Sequence, residues 1–464
     1  MSVSTGASTP SATLASTVLN AVDIADGVRS ESLTVRDVLE GSLARIARHD
    51  AVLAAFATVR ADAARREADE VQRRVLAGEA LPLAGVPVAI KDNVAVTGEV
   101  MRGGSRATGR EPQHDDHAVV ARLRNAGAVV VGLTTMPEAG LWLTTDGERI
   151  TRNPWNIEYS PSGSSGGSAA AVASGMVPIA HGNDGLGSIR QPAAACGLLG
   201  LKPSRGLVPA QIGVNDWYSL VENGPFARTS ADLALMLSVL ADDPSLANVR
   251  TLRSPLRVAV SARTPVQGTR TDPALIKGLF AAAGLLAAHG HGVTRDQPTY
   301  PQRLSYAGTI RWFASAADYV ESVADPDLVE DRTLGHASAG RRMRRLIRHE
   351  QLIEWRSRVE KFFERYDLMM TPVTATHPLR ADRWGERAWA VNVRANVTAS
   401  GGFCGMWNVA GYPALSIPFG TDPLTNTPVG IQIAAPHGSE SLLLSVAQCF
   451  EQWQPWPATA PGWD

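Results

Sequence analysis

The stretch "PSGSSGGSAAAVASG" at residues 161–175 places four serines and three glycines directly before an alanine-rich helix start. Gly163 to Gly167 match the pattern G-x-S-x-G, in which Ser165 would be the nucleophile of an α/β-hydrolase. That pattern requires a buried strand before the serine, whereas "NPWNIEYSPS" has two prolines and no apolar run. Glycines before a helix also bind phosphate, but the lysine of a P-loop is missing. A tight turn with Ser168 near the helix start is the third interpretation.

A second motif and an upstream lysine extend the pattern beyond this loop. The segment "HGNDGLGSIRQPAAACGLLGLKPSRG" at 181–206 contains another Gly-Ser pair, Gly187 and Ser188. Lys91 is the single lysine of the apolar strand-like run "PVAIKDN". A lysine in such a run usually extends to a surface, but a buried lysine has a lowered pKa and can act as a base. Two serines and one lysine are therefore candidate catalytic residues.

Together these motifs resemble the amidase signature family, hydrolases with a Ser–cis-Ser–Lys triad. The resemblance rests on "GVPVAIKDN", on "GSSGGSAAAVASGMVPIAHGNDG" with the following "GSIR", and on "CGLLGLKPSRG". Weaker matching pieces are "ENGPFARTSADLALML", "NVAGYPALSIPFG" and "PVGIQIAAP". All the matching pieces occur in the same order as in the family, between about residue 30 and residue 450. The resemblance implies an α/β fold in which helices cover both faces of a large, mixed central β-sheet.

The resemblance also implies a role for each matching residue. Ser188 becomes the nucleophile, Ser164 the serine that follows a cis peptide bond, and Lys91 the terminal base. A serine is a weak nucleophile and needs such a base within hydrogen-bond reach. The other implied residues surround this triad: an oxyanion hole of Gly185, Leu186 and Gly187, supporting residues Ser165, Asp184 and Arg190, and a substrate pocket at Gly140 and Leu141 that extends toward Trp142.

Three positions depart from the commonest family pattern, and one of them is Thr135, which stands where asparagine is usual. Ser162 stands where glycine is usual, and Leu186 interrupts the familiar Asp-Thr-Gly-Gly-Ser sequence. A backbone N–H of Leu186 can serve an oxyanion if φ is negative, whereas a positive φ would strain this residue. Its side chain is expected to narrow the pocket. None of the three departures touches a catalytic position.

Composition excludes several other classes of protein. The 464 residues are 44% hydrophobic and carry a formal net charge of −1, which gives no reason to expect nucleic acid or an anionic membrane as partner. The three cysteines lack metal-ligand spacing, so we expect no disulfide framework, no metal and a reducing, cytoplasmic location. No cofactor is expected. The basic run "RRMRRLIRHE" at 341–350 is predicted to be a solvated helix face.

The chain is predicted to form one domain over residues 14–464, after a flexible tail at 1–13. The pattern from Leu14 to Gly78 is helical, and short buried strands are predicted at Val86–Ile90 and Val129–Leu133. The mainly helical region 300–365 is predicted to be a variable cap near the entrance. The expected assembly is a monomer or a homodimer.

The expected function is hydrolysis of the C–N bond of an amide, anilide or carbamate through an acyl-enzyme. Apolar residues near Gly140 and Leu141 favour a hydrophobic substrate, so an aryl acylamidase or a urethanase is the specific expectation. Three alternatives stay open: the glutamine amidase subunit of an amidotransferase, a Ser-His-Asp esterase with Ser165 as nucleophile, and an inactive binding protein on the same fold. If the protein is an amidohydrolase, its expected partner is a small-molecule amide or carbamate substrate.

Overall fold

A computed structural model describes residues 18–212, 216–252, 254–301, 304 and 306–463 of the chain. The tail predicted at residues 1–13 lies outside the described residues. No helix in the described ranges combines the length and the apolar character that crossing a bilayer requires.

Within those ranges, eleven strands form one sheet. In chain order the strands are β1 Phe56–Val59, β2 Pro87–Lys91, β3 Val129–Thr134, β4 Ile179–Asp184, β5 Leu199–Lys202, β6 Glu222–Ala227, β7 Arg257–Val260, β8 Gly292–Arg295, β9 Leu368–Pro372, β10 Ala414–Thr421 and β11 Pro428–Ala434. Across the sheet their order is β1-β3-β2-β4-β6-β5-β10-β11-β9-β7-β8. Strand β2 is parallel to β3 and β4, and β7 is parallel to β8 and β9, whereas the other neighbours pair antiparallel. The predicted mixed sheet is confirmed.

Helices pack around this sheet. In chain order they are α1 Ala21–Arg29, α2 Val35–Leu53, α3 Ala61–Leu76, α4 Ala118–Asn125, α5 Gly166–Ala173, α6 Arg190–Cys196, α7 Ser230–Ala241, α8 Pro273–Ala288, α9 Ala307–Ser322, α10 Asp331–Met343, α11 Glu350–Phe363, α12 Trp389–Ser400, α13 Gly405–Ala410 and α14 Glu440–Trp453. Every residue of strands β2 to β6 is buried. Because successive side chains of a strand point to opposite faces, burial of all of them shows that both faces of the sheet are covered.

The two strands that carry the candidate residues are parallel neighbours. Lys91 is the last residue of β2, and Asp184 is the last residue of β4. The carboxyl ends of parallel neighbours meet at the same edge of a sheet, where ligands bind in open α/β folds. The topology therefore places Lys91 beside the segment that leads to Ser188.

The predicted helical stretch from Leu14 to Gly78 is wrong at one place. Strand β1 interrupts it at the edge of the sheet and pairs antiparallel with β3. The break occurs because Ala54 adopts a left-handed φ of +50°, and because a carboxylate oxygen of Asp50 accepts the N–H groups of Ala55 and Phe56. Those bonds take the backbone out of the helix.

The region 300–365 is mainly helical, as the sequence predicts, and contains α9, α10 and α11. The basic run at 341–350 is largely exposed, as predicted, but the predicted single helix face is wrong, because the run spans the end of α10, a 3-10 turn at Arg344–Leu346 and the start of α11. Arg344 in this run pairs with Asp318 and Glu321 of α9.

Candidate active site

Lys91 and Ser164 are in direct contact. The Nζ atom of Lys91 lies 2.7 Å from the Oγ atom of Ser164. Ser164 follows Gly163 in the loop before α5, and the peptide bond between them is cis, as the resemblance implies. In the same loop Ser162, which replaces the usual glycine, has a left-handed φ of +64°. Both members of the Lys91–Ser164 pair are buried.

Burial changes the acid–base chemistry of Lys91. Its side chain is fully buried, with 0% exposure. Desolvation by burial lowers its pKa to about 7, against the opposing effect of the Asp184 charge. A substantial fraction of this amine is therefore neutral near neutral pH, and a neutral amine can accept a proton.

Ser188 lies at the wall of a cavity of about 110 Å³. It is half-buried, whereas Ser164 and Ser165 are buried. The loop of Ser164 is joined to this residue through the backbone, because the N–H of Ser165 donates to the carbonyl of Ser188 at 3.2 Å. Within the described residues, the hydroxyls of Ser164 and Ser188 are not hydrogen-bonded to each other. Catalytic hydrogen bonds often tighten only when a substrate is bound.

Asp184 and Arg190 hold the turn that carries Ser188. Both side chains are fully buried, and Arg190 Nη2 lies 2.8 Å from Asp184 Oδ1. Burial by itself would raise the pKa of Asp184, but the Arg190 guanidinium holds that pKa below its ordinary range. The ionised carboxylate also accepts the N–H groups of Gly187 at 2.6 Å and Ile189 at 3.2 Å.

This geometry corrects one predicted oxyanion donor. The N–H of Gly187 donates to Asp184, so it is not available to an oxyanion in this structure. By contrast, the N–H groups of Gly185, Leu186 and Ser188 have no acceptor among the described residues. Leu186 is not in the left-handed region of φ, so the strain that its replacement of a glycine could bring is absent.

The cavity at Ser188, hereafter the reaction cavity, is mostly apolar. The predicted pocket residues Gly140 and Leu141 line it together with Trp142, and Leu186 contributes its side chain. The region 300–365 also contributes, since Gly308, Thr309 and Trp312 of α9 line the same cavity. No charged side chain is among the lining residues that the structure describes.

Ser165 is placed as a supporting residue rather than as a nucleophile. Its hydroxyl is buried and donates to the backbone carbonyl of Asn183 at 3.2 Å. Within the described part of the chain it contacts no histidine. The buried His181 of β4 instead bonds to Asn223 through Nε2, and its backbone carbonyl accepts a hydrogen bond from the Ser168 hydroxyl. The Ser-His-Asp alternative therefore lacks its base.

Sequence reasoning missed one polar pair beside Lys91. Asn183 Oδ1 lies 2.7 Å from Lys91 Nζ, and Asn183 Nδ2 donates to Asn93 Oδ1 at 2.7 Å. Both asparagines lie inside quoted motifs, Asn93 in "PVAIKDN" and Asn183 directly before Asp184. The sequence could have pointed to both asparagines, because each lies within two positions of a candidate catalytic or supporting residue.

The anchors of Arg190 were also missed. Arg190 donates to Gln432 Oε1 and Asn408 Oδ1, each at 2.6 Å, and to the Cys404 carbonyl at 3.0 Å. These partners lie more than 200 positions away in the sequence. In the described ranges, no group of histidine, cysteine and acidic side chains is arranged to hold a metal ion.

Comparison with known proteins shows the family of the chain. The family model described as Amidase matches residues 37–444. The chain belongs to the amidase family. AmiB2 of Mycobacterium tuberculosis, which carries the name of an amidase, is 38% identical over 452 residues, covering 94% of this chain and 96% of AmiB2.

Solved structures show the same fold. The structure of 6-aminohexanoate cyclic dimer hydrolase matches this amidase with a TM-score of 0.86 and 29% identity, covering 96% of this chain and 99% of that one. A bacterial aryl acylamidase of the amidase signature family matches with a TM-score of 0.81 and 25% identity, covering 95% and 97%. The protein is therefore a hydrolase that acts on the carbon–nitrogen bonds of amides.

Proposed function

We propose that this amidase hydrolyses anilides and aryl carbamates with Ser188 as nucleophile, Ser164 as proton carrier and Lys91 as base. The observation that carries the proposal is the 2.7 Å contact between Lys91 Nζ and Ser164 Oγ, made by a fully buried lysine next to the cavity of Ser188. A buried amine with a lowered pKa is the kind of base that a serine nucleophile requires.

Acylation begins with two proton transfers. Neutral Lys91 takes the hydroxyl proton of Ser164, and Ser164 takes the proton of Ser188. The Oγ atom of Ser188 then bonds to the carbonyl carbon of the substrate, and the carbonyl oxygen becomes an oxyanion. Backbone N–H groups of Gly185, Leu186 and Ser188 are the available donors for that charge.

Collapse of this intermediate breaks the C–N bond. Lys91 returns its proton through Ser164 to the leaving nitrogen, which departs as a neutral amine. A water molecule then attacks the acyl-enzyme, again with its proton passing through Ser164 to Lys91. The bond between the acyl carbon and Ser188 Oγ breaks, and Lys91 returns the proton through Ser164 to Ser188. The carboxylic or carbamic acid leaves, and both the hydroxyl of Ser188 and neutral Lys91 are restored.

The lining of the reaction cavity supports a hydrophobic substrate. Leu141, Trp142, Leu186 and Trp312 present apolar surface there. Burial of apolar area stabilises a bound aryl or alkyl group by about 25 cal/mol per Å². The structural likeness to an aryl acylamidase supports the same substrate class.

The same lining argues against the glutamine amidase alternative. A glutamine substrate carries an α-carboxylate, which needs a cationic or strongly hydrogen-bonding partner when it is desolvated. Among the described residues that line the reaction cavity there is no lysine, arginine or histidine. The intact Lys91–Ser164 contact likewise argues against an inactive binding protein.

A fluorophosphonate probe tests the proposal. The protein is reacted with the probe, and the adduct is located by peptide mass spectrometry in the wild type, Lys91→Ala and Ser188→Ala. We expect an adduct on Ser188 that is absent from both variants. An adduct on Ser165 that persists in Lys91→Ala would contradict the proposal and favour the esterase alternative.

A substrate panel then tests the specificity. We expect acetanilides and aryl carbamates to be hydrolysed faster than glutamine, as measured by kcat/KM on each compound. Faster hydrolysis of glutamine than of every anilide and carbamate would support the amidotransferase alternative.

A further inference from the structure

Lys91 has two side-chain partners in the described part of the chain, and only one belongs to the proposed triad. Nζ lies 2.7 Å from Ser164 Oγ and 2.7 Å from Asn183 Oδ1. Asn183 is 3% exposed and precedes the last residue of β4. It is not among the residues that line the reaction cavity.

The chemistry of a neutral amine gives this second contact a consequence. A neutral lysine has two N–H bonds and a single lone pair, and only the lone pair accepts a proton. An amide oxygen can only accept a hydrogen bond, so the contact with Asn183 engages one N–H bond of Lys91. The lone pair is then left to face the hydroxyl of Ser164. If Asn183 presented its NH₂ group instead, that group would donate to the lone pair and block the base.

Asn93 fixes which end of the Asn183 amide faces Lys91. Asn183 Nδ2 donates to Asn93 Oδ1 at 2.7 Å, so the opposite atom, Oδ1, faces Nζ. Asn93 itself is 7% exposed and lies just beyond the end of β2, where its backbone N–H donates to the Lys91 carbonyl at 2.8 Å. The three side chains form one chain of hydrogen bonds.

We propose that Asn183, oriented by Asn93, is a positioning residue that directs the lone pair of Lys91 toward Ser164. This inference rests on the proposed function, because Asn183 gains this role only if Lys91 is the base. Asn183 acts through Lys91 and not on the substrate.

Three other titratable groups lie near Lys91, and their titration has to be distinguished from that of Lys91. Asp184 stays ionised because the Arg190 guanidinium, against the effect of burial, holds its pKa below the ordinary range. Burial lowers the pKa of His181 on β4 to about 3, so this imidazole stays neutral. Burial raises the pKa of Asp92 to about 7, which is close to that of Lys91. An Asp92→Asn variant is therefore required as a control.

Two substitutions at Asn183 move the pH dependence in opposite directions. In Asn183→Asp a carboxylate faces the amine and favours its charged form, so activity rises only at a pH about 1 to 3 units higher. In Asn183→Leu the charged form loses a hydrogen-bond acceptor, so activity rises at a lower pH. Its plateau rate falls about 10- to 100-fold, because the lone pair is no longer directed. A merely structural role would change the amount of folded protein without moving the pH dependence.

The experiment measures the rate at which a fluorophosphonate labels Ser188 between about pH 5 and pH 10. The wild type, Asp92→Asn and both Asn183 variants are compared. Asn93→Asp keeps an acceptor oxygen facing Asn183, whereas Asn93→Leu removes it. We expect Asn93→Leu to share the lowered plateau of Asn183→Leu and Asn93→Asp to retain the wild-type plateau. If Asn183→Leu does not fold, the pH dependence of Asn183→Asp and the plateau rates of Asn93→Asp and Asn93→Leu still test the proposal.

The failure of this inference is distinguishable from failure of the proposed function. Absence of a Ser188 adduct in the wild type, or its persistence in Lys91→Ala, would overturn the proposed function and this inference with it. Labelling that depends on Lys91, with an unchanged plateau and pH dependence in every Asn183 and Asn93 variant, would overturn the inference alone. A pH dependence that vanishes in Asp92→Asn would instead assign the titration to Asp92, remove Lys91 from the role of base, and overturn the proposed function together with this inference.

Discussion

A Cβ atom on Gly140 would lie 3.2 Å from the Oγ atom of Ser164. Gly140 also has a φ of +70°, in the left-handed region that side chains other than that of glycine rarely adopt. This glycine therefore leaves the space in which the Ser164 hydroxyl contacts Lys91, and it lines the reaction cavity at the same time.

We expect Gly140→Ala to lower kcat about 10- to 100-fold, because the new methyl group displaces the Ser164 hydroxyl from its contact with Lys91. Gly98→Ala is the matched control. Gly98 has a φ of +82° and nothing within 4 Å of its Cβ position, so it imposes the same backbone strain without crowding. Both variants should lose about 1 kcal/mol of stability. Anilide hydrolysis and denaturant unfolding measure the two effects, and equal kcat values in the two variants would contradict the argument.

Leu186 is expected to restrict the size of the acyl group. Its side chain packs against Gly308 of α9 and Gly405 of α13 and lines the reaction cavity. Leu186→Ala should raise kcat/KM for a bulky acyl anilide relative to acetanilide by about 10-fold, because space for one or two methylene groups is gained. Leu235→Ala on α7, away from the cavity, is the control. An unchanged ratio in Leu186→Ala would show that the acyl group lies elsewhere.

The buried ion pair between Arg190 and Asp184 is expected to dominate the stability of the Ser188 turn. Arg190→Met leaves the Asp184 carboxylate buried without its countercharge, which costs about 3 to 5 kcal/mol. Arg358→Ala breaks an exposed pair with Glu354 on α11 and should cost less than about 1 kcal/mol. The free energy of unfolding in guanidinium chloride measures both. Similar losses in the two variants would mean that the turn does not depend on this pair.

The sequence predicted those parts of the site that lie within short local motifs. Lys91 in an apolar strand and the Ser164 loop lie in contact, as the resemblance of their short motifs to the amidase signature family implies. The expected cis peptide bond before Ser164 is present. The strands around these residues could be predicted because continuous apolar runs are typical of strands that are buried on both faces.

The remaining features depend on contacts that the sequence does not display. Strand β1 was predicted as helix because its four residues carry too little periodicity to distinguish the two. The N–H of Gly187 was assigned to an oxyanion, and only the folded turn shows that Asp184 accepts it. Asn408 and Gln432 reach Arg190 from distant segments, so no local pattern could name them.

The pH dependence of hydrolysis follows from the protonation of Lys91. Desolvation lowers the pKa of this amine to about 7, and only its neutral form accepts the proton of Ser164. The base is therefore lost as pH falls through about 7 and is fully present above that pH. We expect kcat/KM for an anilide to fall about tenfold for each pH unit below this value and to reach a plateau above it.

Titration of Asp92 is a competing explanation for the loss of activity at low pH, because burial raises the pKa of Asp92 to about 7 as well. Its carboxylate accepts the backbone N–H of Arg102 at 3.1 Å, on the chain that continues from β2, and it does not contact Ser164. Asp92→Asn should therefore keep the acidic limb of the kcat/KM profile. In Lys91→Met we expect no activity at any pH, because the amine is removed. Methionine keeps an unbranched side chain in the buried site. Loss of the limb in Asp92→Asn with retained activity would assign the titration to Asp92 and remove Lys91 from the role of base.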